Sequence, residues 1–392
     1  MIANNPKRIE VMDALRGFAL MIIVLLHCMQ HFDIDYIPEY LPESIKTLDS
    51  IVASVFSYLF AGKAYAIFAF LFGFSFFIQN ENQKKKGKNF RPRFLWRLIL
   101  LFCFGIFNTI FFAGDILMLY AVLGIVLLLV SNLKTKYVFG IAIFLLLLPL
   151  EWYKVFNLLF NSEYVIKESS RSFYSYQTQL YLKGNSFVDV VIGNLTTGRI
   201  SSFLWNWDTG KCFQTAGLFV LGTLAGRKQL FLTSKVNFIF WKKTLRYALI
   251  IVAILLIIRI NIYSSFENKT LADSIMLIVT SWANFAFTFV LISLFILFYA
   301  KEKTQKVLEK LVPYGKMSLT NYVLQSIVGS VLFYQYGLGL FKYTGAVFSL
   351  IIGIVLFLLQ LAFSNWWLKN HKQGPLEFIW HKLTWIASSK SK

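Results

Sequence analysis

The sequence predicts an all-α integral membrane protein, a polytopic bundle of about ten transmembrane helices with both termini in the cytoplasm. Hydrophobic residues make up 57% of the 392 residues and charged residues 15%, whereas soluble domains have about half and about a quarter. The apolar residues form blocks of roughly 20, the length of a membrane-spanning helix. The Lys and Arg residues behind the net charge of +20 lie between these blocks. That distribution orients membrane proteins and argues against a nucleic-acid partner.

The apolar blocks, taken in chain order, define the expected spans. The first block has no small-residue cleavage site and further blocks follow it, so we expect a retained span rather than a signal peptide. The second block is unusually long and has Gly62 and Lys63 in its middle, which predicts a tilted or broken helix. The ten expected spans cover residues 11–31, 51–78, 95–113, 116–131, 137–158, 213–226, 244–262, 273–299, 317–335 and 344–367.

The charges of the connecting segments predict the orientation. With a cytoplasmic N-terminus, every strongly basic loop lies on the cytoplasmic side, including KKKGKNFRPRFLWR (84–97) and the loop at 226–246. The opposite side receives the acidic segment DIDYIPEYLPES (33–44). Because basic loops stay in the cytoplasm, this pattern favours an even number of spans with both termini inside.

The whole chain, 1–392, is expected to form one membrane domain. Its only large segment without a predicted span is 160–211, which is rich in Ser, Tyr, Asn and Trp. We expect it outside the cytoplasm, as one or two short helices over the outer face. Within it, NLTTGRISSFLWNW (194–207) mixes aromatic and polar residues as interfacial segments do. The segment is either a plain connector or a lid that binds an acceptor.

Polar side chains inside the apolar blocks form the candidate site, because such groups are costly at membrane depth and usually mark a site or a pathway. Arg16 and His27 are eleven residues apart, so they share one helix face about 16 Å apart along the axis. They place a cation near the cytoplasmic boundary and a titratable base deep in the membrane. The other candidates are Asp13, Lys63, Asn108, Asp115, Asn321 and Gln325.

Several of these candidates also have a structural interpretation. Asp13 and Arg16 are three residues apart and would pair with each other on a helix. Lys63 would contact a carboxylate or phosphate of a ligand, or form an ion pair with Asp115. Asp115 follows a glycine, as in an ordinary turn.

The remaining polar residues leave similar alternatives. Asn321 and Gln325 are four apart, so they share a helix face, from which they would bond neighbouring helices or contact a ligand. His31 lies near the outer end of the first span and is expected at the interface. The three cysteines are far apart and show no metal-ligand spacing, so neither a disulfide framework nor a bound metal is expected.

The Arg-x10-His spacing in the first span resembles the membrane acyltransferase family three. In that family the two residues are implicated in acyl transfer from a cytoplasmic donor to an outward acceptor. Over nearly its whole length the chain resembles the related YeiB-like family (domain of unknown function 418). Its N-terminal motifs are DALRGFAL (13–20), AGKAYAIFAFLFGFSF (61–76) and GDILMLYAVLGIVLL (114–128). The C-terminal part, 213–392, contains LFVLGTLAGRKQLF (218–231), GKMSLTNYVLQSI (315–327) and GPLEFIWHKLTW (374–385).

This resemblance implies a membrane acyltransferase, and the single-membrane topology without targeting signals suits a bacterial inner (plasma) membrane. The bilayer, an acyl-CoA donor and an unknown acceptor would be its partners. It would move an acyl group, acetyl being the simplest, to an envelope glycan, lipid or small acceptor. Most relatives have Asn in place of His27 and many have His in place of Asn108, so we expect the two positions to face one cavity. Catalysis is assigned to His27 and Asp115. Donor or substrate binding is assigned to Arg16, Asp13, Lys63, Asn108, Asn321 and Gln325.

A second function remains open at this point. Ionisable groups inside the membrane also suit a proton-coupled transporter of a small solute or lipid. No internal repeat is visible in the sequence, which counts against the inverted repeats common in transporters. Consumption of acyl-CoA would favour the enzyme, and uptake driven by a pH gradient would favour the transporter.

Overall fold

The computed structural model describes residues 6–38, 41–161, 163–167 and 169–386, and every regular element in that part of the chain is helical. The first group of helices is α1 (Pro6–Met29), α2 (Glu43–Phe60), α3 (Ala64–Lys84), α4 (Arg91–Thr109), α5 (Leu117–Leu123), α6 (Ile125–Val130), α7 (Thr135–Leu146) and α8 (Pro149–Phe160). Three short helices follow: α9 (Arg171–Leu182), α10 (Phe187–Gly193) and α11 (Arg199–Asp208). The last group is α12 (Lys211–Arg227), α13 (Lys235–Ser265), α14 (Lys269–Tyr299), α15 (Glu302–Leu308), α16 (Val312–Lys316), α17 (Ser318–Phe333), α18 (Ala346–Asn370) and α19 (Pro375–Thr384). The predicted all-α class is confirmed for the described residues.

Six helical segments are long and apolar enough to cross a membrane, and the bent pair α7–α8 would be a seventh. The six are Glu10–Met29, Glu43–Lys84, Arg91–Thr109, Lys235–Ser265, Lys269–Tyr299 and Ala346–Asn370. The chain is therefore a membrane protein with six or seven such segments, fewer than the ten predicted. The difference lies in short helices such as α17, whose 16 residues extend about 24 Å against a hydrocarbon core of about 30 Å. Ten spans and cytoplasmic termini stay predictions.

The long second block contains the break that its composition predicted. Helices α2 and α3 are separated at Ala61–Lys63, where Gly62 has a φ of +80°. That backbone conformation is unfavourable for a residue with a side chain. Both helices are counted within one segment, Glu43–Lys84, so the break interrupts a single apolar stretch.

Helix α1 lies in the interior of the bundle, where it packs against α3, α16, α17 and α18. The closest approach is to the segment before α17. A Cβ atom on Gly17 would lie 2.3 Å from the carbonyl oxygen of Leu311, and one on Gly315 would lie 1.8 Å from that of Asp13. Two backbones that approach this closely leave no room for a side chain, so both positions need glycine.

Helices α3 and α12 form a second close contact through glycine. A Cβ atom on Gly73 would lie 1.8 Å from the carbonyl oxygen of Phe219, and one on Gly222 would lie 2.0 Å from that of Phe70. Small residues allow this kind of backbone approach between membrane helices. The α3–α12 pair forms one wall of the interior that α1 fills.

The connections between helices gather at two ends of the bundle. At one end, called the basic face, Arg227 donates a hydrogen bond to the carbonyl of Leu133 (2.8 Å) and Arg93 to that of Thr384 (2.6 Å). The loops of the basic face are 85–90, 131–134, 228–234 and 371–374. Three of the loops predicted to be cytoplasmic thus meet at one end.

Helices α9 to α11 lie at the other end, called the opposite face. Gln179 donates a hydrogen bond to the carbonyl of Asp33 (2.7 Å), and Asn194 donates one to that of Ile110 (3.2 Å). The segment at 160–211 forms three short helices with a π-turn at Asn194–Gly198, rather than the one or two helices expected. Its place outside the cytoplasm stays a prediction.

The chain leaves α1 through a left-handed turn. His31, Phe32 and Asp33 have φ values of 47°, 52° and 73°, a conformation that is costly for residues other than glycine. Contacts hold the turn in place, because the Tyr334 hydroxyl donates to the Phe32 carbonyl (2.9 Å) and His31 Nε2 lies 2.9 Å from Ser349 Oγ. His31 is 4% exposed and follows the end of α1, so it is buried among protein groups there, and its place at the membrane interface stays a prediction.

Candidate functional site

A cavity of about 280 Å³ extends inward from the basic face between α1, α3, α4 and α17. We call it the central cavity. Cationic side chains line its mouth, apolar side chains its middle, and tyrosine side chains its inner end. Its polar lining includes Arg16, Arg97, Lys316, Tyr65, Tyr120 and Tyr322.

Arg16 lies at the mouth, as its position near the start of α1 predicted. Its guanidinium donates to Asp13 Oδ1 (2.6 Å) and to Ser75 Oγ (3.2 Å). The pairing of Asp13 with Arg16 that their spacing predicted is therefore present. The Arg16 side chain remains 21% exposed, so the pair leaves part of the guanidinium facing the cavity.

Two further cations at the mouth were not among the predicted residues. Arg97 on α4 stacks over Trp380 at 4.2 Å from the ring centroid, and Lys316 is the last residue of α16. Arg97 lies in the basic segment 84–97, whose charge was used only to predict which side of the membrane the segment occupies. Lys316 belongs to the motif GKMSLTNYVLQSI, which was a signal available in the sequence.

Glu377 joins the two C-terminal motifs at the same mouth. Its Oε1 accepts hydrogen bonds from the backbone N–H groups of Leu319 (2.7 Å) and Thr320 (3.1 Å), and its Oε2 accepts one from Thr320 Oγ1 (2.6 Å). Burial raises the pKa of Glu377. The carboxylate thus caps the first turn of α17, where free N–H groups favour a negative charge.

A chain of tyrosine hydrogen bonds closes the inner end of the central cavity. The Tyr120 hydroxyl donates to the carbonyl of Tyr65 (2.6 Å), and the Tyr65 hydroxyl donates to Gln214 Oε1 (3.0 Å). The Tyr322 hydroxyl accepts from the backbone N–H of Ile116 (3.2 Å). Within the described residues its own proton has no acceptor, so it remains available to a ligand.

Asp115 and Asn108 meet beside this inner end. Asn108 Nδ2 donates to Asp115 Oδ1 (2.9 Å), and the backbone N–H of Met118 donates to Oδ2 (3.0 Å). Arg199 donates to the main-chain oxygen of Asp115 (2.8 Å). Burial raises the pKa of Asp115 to about 6. The hydrogen bond from Met118 is typical of an aspartate in a turn, so the structural role that the sequence allowed for Asp115 is present.

His27 lies next to the inner end, one ring beyond Tyr322. The two ring centroids are 6.5 Å apart, and Phe112 lies 4.7 Å from the His27 ring. Gln325 Nε2 is 3.5 Å from His27 Nδ1, at the outer limit of a hydrogen bond. Tyr322 was not predicted as a site residue, because a tyrosine in an apolar helix usually packs against neighbouring side chains.

Two buried acceptors near this end have no partner among the described residues. They are the amide oxygens of Gln325 and Asn108, and both residues are fully buried. Buried polar atoms without a partner are rare and call for an explanation such as a ligand or water. Polar groups of α1, α4 and α17 thus lie beside Tyr322. His27, Asn108 and Gln325 themselves are not among the residues that line the central cavity, so a cavity shared by positions 27 and 108 stays a prediction.

Asn321 and Lys63 lie outside this group. Asn321 Nδ2 donates to Ser364 Oγ on α18 (2.9 Å), which is the interhelical bond that the sequence allowed. Lys63 has no carboxylate within 4 Å among the described residues. The ion pair that the sequence suggested between Lys63 and Asp115 is wrong, because Lys63 lines a different cavity. Its contact with a substrate stays a prediction.

Comparisons with known proteins divide the chain into two matched parts. Residues 8–178 match the family model for heparan-alpha-glucosaminide N-acetyltransferase, catalytic. Residues 225–387 match that for a protein of unknown function, DUF418. No group of three or more potential metal ligands occurs among the described residues.

The similar curated proteins are uncharacterised. Uncharacterized protein YxaH of Bacillus subtilis is 26% identical over 97% of this chain and 95% of its own length. An uncharacterized 39.9 kDa protein of Bacillus acidopullulyticus is 24% identical over 97% and 94%. Uncharacterized protein YeiB of Escherichia coli is 36% identical over 96 residues, 24% of each chain. No solved structure matches. The resemblance to the YeiB-like family is confirmed.

Proposed function

We propose that this chain, which joins an acetyltransferase-like N-terminal part to a DUF418 part, is a membrane-embedded acyltransferase. It would transfer an acyl group, acetyl being the simplest, from acyl-CoA to a hydroxyl or amine of an envelope glycan, lipid or small acceptor. The proposal rests on the central cavity, which has cations at its mouth, apolar walls and polar groups at its inner end. The relatives named above are bacterial, and we place the protein in the inner membrane of a bacterium, with the basic face in the cytoplasm.

The mouth suits the donor's charge. Acyl-CoA has several phosphate charges at one end, and the mouth offers three cations, Arg16, Arg97 and Lys316. They outnumber the two acids at the mouth, Asp13 and Glu377. Guanidinium groups bind phosphate in a bidentate manner, and Asp13 keeps Arg16 in a defined orientation. The apolar middle, which includes Phe72, would receive the pantetheine arm and the thioester. Asn321 would act indirectly, by holding α17 against α18.

The inner end suits the transfer step. The imidazole of His27 would take the proton from the acceptor's hydroxyl or amine. At the same time the acceptor's oxygen or nitrogen would attack the carbonyl carbon of the thioester. The carbon–sulfur bond then breaks, and the leaving thiolate receives the proton from the imidazolium. The free proton of the Tyr322 hydroxyl would donate to the oxygen on which negative charge develops. For Nε2 of His27 to be the base, Nδ1 must carry the ring proton, so Gln325 would orient the ring with its amide turned to accept Nδ1–H through Oε1.

The acceptor would approach from the opposite face. Asp115 and the free amide oxygen of Asn108 lie on that side of Tyr322 and would orient the acceptor's hydroxyl groups. An acyl-histidine intermediate on His27 is an alternative to direct transfer. Both routes need His27, so the same variants test them.

The experiment is acyl-CoA binding and thiol release by detergent-purified protein. Arg16→Ala is expected to weaken acetyl-CoA binding about tenfold or more, since a bond to a charged group is worth about 1.5–3 kcal/mol. His27→Ala is expected to bind normally and lose turnover. Arg246→Ala is the matched control, because Arg246 is an exposed cation on α13 outside the cavity lining.

Two outcomes would count against the proposal. One is a folded wild-type protein that neither binds nor cleaves acyl-CoA, and the other is full turnover in His27→Ala. If vesicles containing the protein instead take up a solute in response to a pH gradient, without any covalent product, the transporter alternative is favoured.

A further inference from the structure

A second cavity, of about 390 Å³, lies between α2, α13 and α14. We call it the lateral cavity. It is separate from the central cavity, and the two have no lining residue in common. Its volume falls within the range of small-molecule sites. Its polar lining consists of Ser54, Ser57, Tyr58, Lys63, Arg259 and Asn284. That lining contains two cations and no acid.

Lys63 is held at this cavity by the break between α2 and α3. Its Nζ donates to the main-chain oxygen of Tyr58 (2.6 Å), in the last turn of α2. The ammonium also lies 5.6 Å from the ring centroids of Tyr58 and Phe287. Lys63 is 5% exposed, so the side chain does not extend to bulk water. A lysine ammonium has three N–H donors, and only one has a hydrogen-bond acceptor among the described residues.

Arg259 faces Lys63 from α13 across the cavity. Its guanidinium forms neither a hydrogen bond nor an ion pair in the part of the chain that the structure describes. Asp273, an acid on the neighbouring helix α14, instead accepts a hydrogen bond from the Tyr263 hydroxyl (2.8 Å). The buried Lys63 thus shares one cavity with Arg259, an exposed residue, and with no protein counter-charge, an arrangement that is costly for a lysine in apolar surroundings.

We infer that the lateral cavity binds an anionic phosphate group, with Lys63 and Arg259 as its cationic ligands and Ser57 and Asn284 as polar neighbours. A phosphate supplies the acceptors that the free ammonium and guanidinium donors lack. Arg259 is six residues before the end of α13, about 9 Å along the axis. Helix α13 has 31 residues, so with its middle at the bilayer centre it would extend about 8 Å beyond the hydrocarbon core at each end. Arg259 would then lie near the level of the lipid headgroups, so a phospholipid and a free phosphate are the two sources of this group. The site is distinct from the central cavity and does not depend on acyl transfer.

The test measures phosphate binding directly. Purified protein is titrated with phosphatidylglycerol in a phosphatidylcholine background and, separately, with inorganic phosphate, and bound ligand is counted by native mass spectrometry. Lys63→Gln and Arg259→Gln are each expected to weaken binding about tenfold or more, as loss of a bond to a charged group does. Arg246→Gln, on the same helix but outside the cavity, is expected to bind as the wild type does.

Each outcome of the test has a clear meaning. Charge-dependent binding of phosphatidylglycerol alone supports a lipid headgroup, and charge-dependent binding of inorganic phosphate supports a soluble ligand. Equal binding by the wild type and the Lys63→Gln/Arg259→Gln double variant would overturn the inference. Lys63→Arg and Arg259→Lys keep the charge and should retain most binding, which separates loss of the site from loss of folding. Acyl-CoA turnover is not a readout here, so failure of the proposed enzyme would not affect the result.

Discussion

Replacing Glu377 by alanine is expected to destabilise the contact between α19 and the start of α17. The carboxylate accepts three hydrogen bonds there, two from backbone N–H groups and one from Thr320 Oγ1. Removal of a helix cap costs about 0.5–2 kcal/mol, and loss of the additional hydrogen bond from Thr320 Oγ1 costs about 1 kcal/mol. The total loss is therefore expected to be about 2–3 kcal/mol.

The assay is thermal unfolding in detergent, followed by intrinsic tryptophan fluorescence. At about 2 °C per kcal/mol for a large chain, the midpoint should fall by about 4–6 °C in Glu377→Ala. Glu377→Gln should lose about half as much. It keeps one acceptor oxygen for the backbone, and a neutral amide avoids part of the burial cost that raises the pKa of the acid.

Two further variants make this prediction specific. Thr320→Val combined with Glu377→Ala should lose less than the sum of the single changes, because the two side chains share a bond. Glu302→Ala is the control, since its side chain is 87% exposed and lies 4.0 Å from Lys306, and it should leave the midpoint unchanged. A midpoint for Glu377→Ala within about 1 °C of the wild type would refute the argument, since about 2 °C accompanies each kcal/mol.

Three other changes test the packing, the buried acid and the inner end of the cavity. Gly73→Ala should sharply reduce the yield of folded protein on size-exclusion chromatography, because the new Cβ would lie 1.8 Å from a carbonyl oxygen of α12. Gly140→Ala is the control: its new Cβ meets open space, and the free energy of unfolding should rise by up to about 1 kcal/mol. Burial raises the pKa of Asp115 from 3.8 to about 6, so the folded state binds this proton more tightly. Wild-type stability should therefore fall by up to about 3 kcal/mol as the pH rises from about 4 to 6. Asp115→Asn should lack that part of the pH dependence, and matching pH profiles of the two unfolding midpoints would contradict it. Tyr322→Phe should lower acyl transfer about 10- to 100-fold with unchanged acyl-CoA binding, and unaltered turnover would remove Tyr322 from the proposed step.

Much of the fold was predictable because membrane helices have a strong local signal. The all-α class, the break at Gly62 and the pairing of Asp13 with Arg16 all depend on residues close in sequence. The number of spans was less predictable. Hydropathy does not show that α17 has only 16 residues, too few to cross a full hydrocarbon core.

The candidate site was predictable only in part. Arg16 and His27 were found from one helix face, since periodicity alone relates them. Lys316 and Tyr322 join them only through the packing of α17 against α1, a contact between residues about 300 positions apart. The same limit explains Lys63, for which an ion pair with Asp115 was one of the two alternatives. Which helix faces which is decided by features such as the contact at Gly315, not by the composition of any one span.

The interior position of α1 has a consequence for biosynthesis. The helices α16, α17 and α18, against which it packs, are made about 300 residues after it. At about 5–20 residues per second, α1 waits roughly 15–60 s for these neighbours. During that interval the Asp13–Arg16 pair lets the nascent helix neutralise its own charges. We therefore expect the packing around α1 to be completed only after α18 has been made.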